Sequence, residues 1–237
     1  SVYAAYGVSY NPSAEFGTLS TSPTSTANVL LAPEKNNTIE VGAKVDVLNN
    51  RLSLTGAIFR IEKTNLRIPT DPINGDASLV LDGLARVQGV ELGAAGSITD
   101  KWSVFAGYSY LDSEIAKTTN LAELGNQLPN TPRNNFTLWS TYAIDPQWTV
   151  GGGAIYQSDA FVNTANTSYV PAYWRFDAML AYKVTPNSTL QLNVYNLGDA
   201  LYYAQYYGGH AVPASGRYAS LSYRIRFEPP PAVKYDK

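Results

Sequence analysis

The chain has 237 residues, with 18 Tyr, 18 Gly, one Met, one His and no Cys. Charged residues make up 15% of the chain and the formal net charge is −2, whereas a soluble domain usually has about 25% charged residues. This balance excludes the basic surface that nucleic acid requires. The lack of Cys excludes disulfides and thiolate metal ligands, and a single His excludes any site that needs two imidazoles.

Alternation of apolar and polar residues runs along the chain from end to end. A period of two is typical of β-strands, whose successive side chains point to opposite faces of a sheet. The segment from Trp174 to Val184 is the clearest example. No run of about 18 apolar residues predicts a transmembrane helix. The pattern predicts ten strands, near residues 2–10, 37–48, 51–67, 84–98, 102–115, 133–144, 148–162, 172–184, 189–203 and 216–227.

The connections between these segments alternate in length. Four are tight turns around Asn49, Asp100, Pro146 and Asn187, residues that are typical of hairpin turns. The others are long polar loops, near residues 11–36, 68–83, 116–132, 163–171 and 204–215. Short turns at one end and long loops at the other predict an antiparallel up-and-down meander, as in transmembrane β-barrels.

The two predicted faces of the strands differ in chemistry. One face is apolar, with aromatic residues at segment ends that resemble the interfacial girdles of membrane barrels, namely Trp102, Tyr142, Trp148, Trp174 and Phe227. The other face carries charges, which we expect to face a barrel lumen, namely Glu40, Lys44, Asp46, Glu91, Arg175, Asp177, Lys183, Arg224 and Arg226. A soluble sandwich would instead bury the aromatic residues in its core. Several segments reach 12 residues or more, which exceeds the about 5–6 of ordinary strands and favours the all-β membrane barrel.

No motif in the sequence indicates catalysis or metal binding. His210 lies in a Gly-Gly-His-Ala loop and no carboxylate flanks it closely. The run Gly151–Gly153 lies inside a strand pattern and lacks the helix of a phosphate loop, so we interpret it as a close approach of neighbouring strands or of an internal domain. The segment Asp71–Asp76 lacks the oxygen spacing of a calcium loop. The sequence therefore predicts no enzyme, no metal site and no cofactor.

Several motifs resemble those of one membrane-protein family. The stretch Leu31–Lys44, LAPEKNNTIEVGAK, resembles a stretch of the TonB-dependent outer-membrane receptors. Further motifs similar to that family are Gly89–Leu92, Asn130–Asn134, Trp174–Ala178, Leu192–Leu197 and the closing segment Gly216–Phe227. The motifs follow the family's order and cover nearly the whole chain. The most similar branch is that of the ferric-siderophore receptors, especially those for catecholate ligands.

The resemblance implies that residues 1–227 are the C-terminal part of a 22-stranded barrel in the outer membrane of a Gram-negative bacterium. It implies as partners the outer-membrane lipid, the remaining barrel strands, a plug domain, and the TonB complex through a segment absent here. Residues 2–10 and 216–227 would then be unpaired with each other and would edge an open, curved sheet. Residues 228–237 contain three consecutive prolines, which cannot continue a strand ladder, and we expect an extended tail.

The function that the resemblance implies is TonB-dependent uptake of a ferric siderophore, with a catecholate type favoured. Aromatic and cationic residues of the long loops would stack on and neutralise an anionic iron chelate. The candidates are Arg133, Tyr169, Tyr206, Tyr207, His210 and Arg217. The iron arrives already chelated, so no protein metal site is needed.

The alternative is a self-contained ten-stranded barrel that acts as a surface protease or adhesin. A protease of this kind would use Asp112, Glu114 and His210 at the outer rim to activate water. It also requires the first predicted strand to pair with the last.

Overall fold

The computed structural model describes residues 1–11, 32–69, 79–207 and 210–227. These residues contain strands and no helix. The strands are β1 (Val2–Asn11), β2 (Glu34–Val47), β3 (Leu52–Pro69), β4 (Leu79–Ser97), β5 (Trp102–Lys117), β6 (Asn134–Ala143), β7 (Trp148–Gln157), β8 (Ala160–Phe161), β9 (Tyr169–Val170), β10 (Tyr173–Thr185), β11 (Ser188–Tyr195), β12 (Tyr203–Tyr207), β13 (His210–Pro213) and β14 (Tyr218–Ile225). None of the described segments forms a helix that is long and apolar enough to cross a membrane.

Ten of the strands form one antiparallel sheet in the order β1-β2-β3-β4-β5-β6-β7-β10-β11-β14. Each strand of this sheet pairs with the next one along the chain, which confirms the predicted meander of ten strands. The remaining strands form two small hairpins, β8–β9 and β12–β13, within the last two long loops. Within the described residues β1 pairs only with β2 and β14 only with β11, so no ladder joins the first strand of the sheet to the last.

Two strands of the sheet are shorter than the sequence pattern predicts. The seventh ends at Gln157 rather than near residue 162, because the chain leaves the sheet there to form the β8–β9 hairpin. The ninth ends at Tyr195 rather than near residue 203. Asn196 follows it with a φ of 53°, a left-handed conformation that cannot continue a strand.

The connections have the predicted asymmetry. Residues 48–51, 98–101, 144–147 and 186–187 form short turns at one end of the sheet, and the long connections lie at the other end. In the third turn the Asp145 carboxylate accepts hydrogen bonds from the backbone N–H groups of Gln147 and Trp148, both at 2.8 Å. Residues 12–31, 70–78, 208–209 and 228–237 lie outside the described residues, so the form of the predicted tail stays a prediction.

The described part of the sheet is a single layer with little buried apolar surface. The only buried hydrophobic side chains among the described residues are those of Ala85 and Ile115 in the sheet and of Ala160 and Val170 in the β8–β9 hairpin. Large apolar side chains such as Tyr6, Ile58 and Leu221 are at least 60% exposed. A sandwich would cover such residues with a second sheet, and the structure therefore contradicts the soluble alternative.

The strands present two chemically different faces, as predicted. On β10, the side chains of Trp174, Phe176 and Leu180 are exposed on what we call the apolar face. Successive side chains of a strand alternate, so Arg175 and Asp177 lie on the opposite, polar face. The register aligns Ile155 of β7 with Arg175 and Gly153 with Asp177, so the Ile155 side chain also lies on the polar face.

Aromatic residues form two rows on the apolar face. At the turn end, Tyr182 lies opposite Trp148, with ring centroids 4.5 Å apart. At the loop end, the ring of Trp174 lies 4.8 Å from that of Tyr156 and 5.8 Å from that of Phe176. The rows are about 27 Å apart along the strand, or about 20 Å along the axis of a barrel with strands tilted by about 40°. This spacing is close to the about 25 Å apolar band of outer-membrane barrels.

On the longest strands, the face that is apolar within this band carries charged residues beyond it. Arg86 of β4 lies between Glu62 of β3 and Glu114 of β5, with N–O distances of 2.9 and 2.7 Å. The register places all three on the same face as Leu92 and Ile58. The sequence pattern named charges on the polar face only, and it did not indicate this group of three charges on the apolar face at the loop end. The reason is that β3, β4 and β5 have 16–19 residues and continue past the length that a membrane requires.

We expect Leu180→Arg to destabilise the protein by about 2–4 kcal/mol if the apolar face meets hydrocarbon, because a cation at the bilayer midplane is costly. Met179→Arg is the matched control, since the neighbouring side chain lies on the polar face. Refolding of the whole protein into lipid vesicles under a urea gradient measures both. Equal losses of stability for the two variants would contradict the assignment of the faces.

Candidate ligand-binding site

A cleft of about 640 Å³ opens on the polar face at the loop end of the sheet. We call it the tyrosine cleft. It is lined by Asn130, Gln157, Tyr173, Arg175, Tyr202, Tyr203, Ala204, Gln205 and Tyr206. Strands β7 and β10 supply its floor, and the segment after β11 folds back over them to supply its wall.

Strand register brings the floor residues together. Tyr173 and Arg175 are two residues apart on β10, and therefore point to the same face. Gln157, the last residue of β7, is the register partner of Tyr173. The ring of Tyr202 stacks on the ring of Tyr173 with centroids 4.4 Å apart and an interplanar angle of 22°.

Two hydrogen bonds fasten the wall to the floor. Arg175 Nη1 donates to the phenol oxygen of Tyr202 at 3.0 Å. Gln157 Nε2 donates to the phenol oxygen of Tyr206 at 2.8 Å. Each bond joins a sheet residue to a loop residue that is 27 or 49 positions away in the chain. The cleft is therefore a product of the loop's folding onto the sheet.

The charge of Arg175 is balanced inside the protein. Its Nη2 lies 2.7 Å from Oδ2 of Asp177, a carboxylate that is only 9% exposed. Arg175 is the one charged residue among those that line the cleft. The lining is therefore rich in aromatic rings, phenol oxygens and amide groups and has little net charge.

Burial raises the pKa of the Tyr206 phenol above its ordinary value, and the hydrogen bond that Gln157 donates to it acts in the opposite direction. Burial prevails, so the phenol stays neutral at physiological pH. A neutral phenol that accepts one hydrogen bond keeps its own O–H free to donate. The cleft is thus suited to stacking and hydrogen bonding rather than to proton transfer.

A second cleft of about 600 Å³ lies on the other side of residues 128–131. Its walls combine aliphatic side chains, such as those of Leu66, Ile68 and Ile115, with polar ones, such as those of Asn120 and Glu123. Two lysines line it, but Lys63 pairs with Glu34 at 2.5 Å and Lys117 pairs with Asp82. Thr164 donates a hydrogen bond to Glu123 at 2.8 Å, so this cleft has polar groups as well as apolar walls, but no aromatic ring of the described residues lines it.

The structure brings only part of the predicted ligand set together. Tyr206 lines the tyrosine cleft, and Tyr207 and His210 are register partners at the tip of the same hairpin. The Tyr207 side chain lies outside the described part of the structure, and that of His210 is exposed. Arg133 and Tyr169 do not line the cleft.

Arg217 has a structural role in the loop. Its Nη1 donates to the carbonyl oxygen of Leu197 at 3.2 Å, and its backbone N–H donates to Asp199 Oδ1 at 2.7 Å. These bonds close the base of the loop rather than face the cleft. The set of predicted ligand residues did not include Tyr173, Tyr202 and Gln157, which line the cleft, because strand register and loop docking are not encoded in a local pattern.

The groups of the protease alternative do not meet. Asp112 accepts a hydrogen bond from Gln88 at 3.2 Å, and Glu114 pairs with Arg86. Both carboxylates lie on the apolar-face side of β5, whereas His210 belongs to the hairpin that docks on the polar face. No group of three or more His, Asp or Glu residues that could hold a metal ion occurs within the described residues.

Residues 1–197 match a family model described as TonB dependent receptor-like, beta-barrel. The chain belongs to this family. It is 42% identical to the siderophore receptor PiuA of Acinetobacter baumannii over 240 residues, a span of 96% of this chain and 32% of PiuA. It is 38% identical to the catecholate siderophore receptor Fiu of Escherichia coli K12 over 213 residues, a span of 86% of this chain and 27% of Fiu.

Solved structures give the same result for the fold. The crystal structure of PiuA superposes with a TM-score of 0.85 at 40% identity, covering 94% of this chain and 33% of PiuA. The closed form of Fiu superposes with a TM-score of 0.80 at 34% identity, covering 95% of this chain and 33% of Fiu. The chain therefore spans about a third of the length of the relatives that it matches.

Membership of this family of TonB-dependent receptors places the chain in the outer membrane of a Gram-negative bacterium. The ten-stranded sheet corresponds to part of the receptor barrel, as the motifs predicted. The similar proteins are transport receptors rather than enzymes, and the self-contained protease or adhesin is not supported.

We expect the docking of Tyr206 to be insensitive to pH below its ordinary pKa of 10.0 and to weaken above it. Below that pH the phenol is protonated whether the hairpin is docked or free. Above it, the free phenol ionises first because burial raises the docked pKa, so docking loses stability as the pH rises. The difference between the ultraviolet titration curves of the protein and of its Tyr206→Phe variant isolates this phenol. An ionisation at or below the ordinary pKa would contradict its burial.

Proposed function

We propose that residues 1–227 form the C-terminal part of the barrel of a receptor for uptake of a ferric siderophore across the outer membrane. A catecholate-type ligand is favoured. Both PiuA and Fiu are named as siderophore receptors, and Fiu as a catecholate receptor. The sheet that this chain forms is the part of the barrel that carries the tyrosine cleft.

The chemistry of the tyrosine cleft is the observation that carries the ligand class. A ferric catecholate presents flat, electron-rich rings around the metal. The rings of Tyr173 and Tyr202 both line the cleft and stack on each other, so a catecholate ring would stack on the outer side of this pair. Gln157, Gln205 and the phenol of Tyr206 offer hydrogen-bonding groups near these rings. Iron would be held by the siderophore, so the protein need supply no metal ligands.

The position of the cleft fits capture from outside the cell. The cleft lies at the end of the sheet where the long loops are, and the opposite end has only short turns. In outer-membrane barrels the short turns face the periplasm and the long loops face the exterior. A ligand would therefore reach the tyrosine cleft from the medium before it reached the middle of the barrel.

The remaining parts of the mechanism belong to partners of this chain. We propose that lipid covers the apolar face, and that the remaining barrel strands pair with β1 and β14. We further propose that a plug domain contacts the polar face and that the TonB complex supplies the energy for uptake. On the polar face, Gly153 leaves room for the Trp139 ring to lie close to the sheet, since a Cβ there would lie 2.5 Å from that ring.

The other predicted ligand residues remain proposals. Tyr207 and His210 belong to the hairpin that walls the cleft, and this position supports the proposal that the hairpin contacts the outer side of a bound chelate. Arg133 and Tyr169 lie on the two neighbouring loops, which are joined where the Asn130 N–H donates to the Phe161 carbonyl at 2.8 Å. Arg217 is the weakest candidate, because its guanidinium is used within its own loop.

We expect Tyr173→Ala and Tyr202→Ala each to weaken binding of a ferric catecholate by about tenfold, or about 1.4 kcal/mol, the order of one aromatic contact. Binding is measured with radiolabelled iron on the whole purified receptor. Growth of iron-starved cells that make no siderophore and depend on this receptor gives the uptake readout. Tyr110→Ala is the matched control, because Tyr110 lies on the apolar face.

Two results would count against the proposal. If the receptor bound no ferric catecholate, or supported growth on ferric hydroxamates alone, the ligand class would be wrong. If Tyr110→Ala weakened binding as much as the two cleft variants, the effect would come from the barrel and not from the cleft.

A further inference from the structure

Asp177 uses both oxygens of its buried carboxylate to connect the sheet with the loop that walls the tyrosine cleft. Oδ2 accepts from Arg175 Nη2 at 2.7 Å, and Oδ1 accepts from the backbone N–H of Asn196 at 2.9 Å. Asp177 itself does not line the cleft. Its contacts therefore determine the shape of the cleft, and Asp177 does not contact the ligand itself.

The bond to Asn196 fixes the place where the loop leaves the sheet. Asn196 is 1% exposed and has a φ of 53°. Its side chain accepts from the Ala200 N–H at 2.9 Å, and its Nδ2 donates to the carbonyl oxygens of Ala200 and Ser215 at 2.9 and 3.4 Å. One residue thus ties both ends of the loop together, and Asp177 ties that residue to β10.

The bond to Arg175 fixes the wall of the cleft. Arg175 Nη1 holds the Tyr202 phenol, whose ring stacks on Tyr173. The Nε of Arg175 is buried and has no hydrogen-bond partner among the described residues. Within the described part of the chain, the guanidinium is therefore held by Asp177 and Tyr202 alone. A buried N–H without an acceptor costs free energy, so this cost favours movement of the guanidinium away from its position once either bond is lost. Loss of Asp177 would remove the stronger of the two restraints, because it joins a cation to a carboxylate whereas Tyr202 is a neutral acceptor.

We propose that Asp177 is the positioning residue of the tyrosine cleft. It holds residues 196–207 of the loop against β10 through Asn196, and it holds Tyr202 over Tyr173 through Arg175. As far as the ligand is concerned, this inference rests on the proposed function. The loop is thereby ordered before a ligand arrives, so binding need not supply the entropy of ordering it.

A role in charge balance alone makes the opposite prediction. If Asp177 served only to neutralise Arg175, its removal would leave a free cation beside the cleft, and an anionic chelate would bind more tightly. If Asp177 positions the cleft, its removal weakens binding despite that cation. The direction of the change in affinity therefore separates the two roles.

The test compares Asp177→Ala, which removes both bonds, with Asp177→Asn, which keeps an acceptor for Asn196 and loses the charge. Glu91→Gln is the matched control, because Glu91 is an exposed carboxylate on the polar face of β4. Tyr202→Phe removes only the phenol oxygen that accepts from Arg175. This variant still tests the positioning role if the Asp177→Ala receptor does not assemble in the membrane. All variants are made in the whole receptor.

Two readouts are taken, namely affinity for a ferric catecholate and the mobility of a spin label at Leu201→Cys. Leu201 is 73% exposed, and this chain has no cysteine of its own. We expect the label to become more mobile and affinity to fall at least tenfold in Asp177→Ala. Smaller changes of the same sign are expected in Asp177→Asn and Tyr202→Phe, and none in Glu91→Gln.

The inference is overturned if the label stays immobile in Asp177→Ala and Tyr202→Phe, or if Asp177→Ala binds the chelate as tightly as the parent or more tightly. A parent receptor that binds no ferric catecholate would refute the proposed function. The label mobility would in that case still decide the positioning role, because it is measured without ligand.

Discussion

The structure depends on the main-chain hydrogen-bond ladder between consecutive strands. In hydrocarbon, each unpaired backbone N–H or C=O costs several kcal/mol, so a spanning strand must be paired along its length. Strands of the sheet meet this demand with their sequence neighbours, through continuous registers such as that of β2 with β3 over 13 residue pairs. Because side chains then alternate strictly, a single ladder produces one apolar face and one polar face at the same time.

The same ladder also explains where charged side chains and folded loops occur on the sheet. Within the span of the membrane, the absence of a side chain at Gly153 leaves room for the Trp139 ring to lie close to the sheet on the polar face. Beyond that span the strands no longer have to satisfy the bilayer. Charged groups then occur on the outer side, as in the Glu62–Arg86–Glu114 triad, and the inner side supports loops that fold back onto the sheet.

The tyrosine cleft arises from one of these loops and relies on few polar contacts. A buried carboxylate, Asp177, accepts from both a guanidinium and a backbone N–H. Such charge-assisted bonds are stronger than neutral ones in a site of low dielectric. They allow an exposed loop to be held in one geometry without a hydrophobic core beneath it. A rigid sheet thus carries a loop whose aromatic residues are presented in a fixed arrangement.

The sequence by itself determined the ten strands, their meander order, the asymmetry of turns and loops, and the face on which residues such as Trp174 and Arg175 lie. These features follow from a period of two and from turn residues, which are local properties. It also determined the family, through motifs that keep their order along the chain.

Only the tertiary structure decided which residues line the cleft. Tyr173, Gln157 and Tyr202 meet because of strand register and a left-handed residue, Asn196, that returns the loop to the sheet. Such contacts join residues tens of positions apart, and no local pattern specifies them.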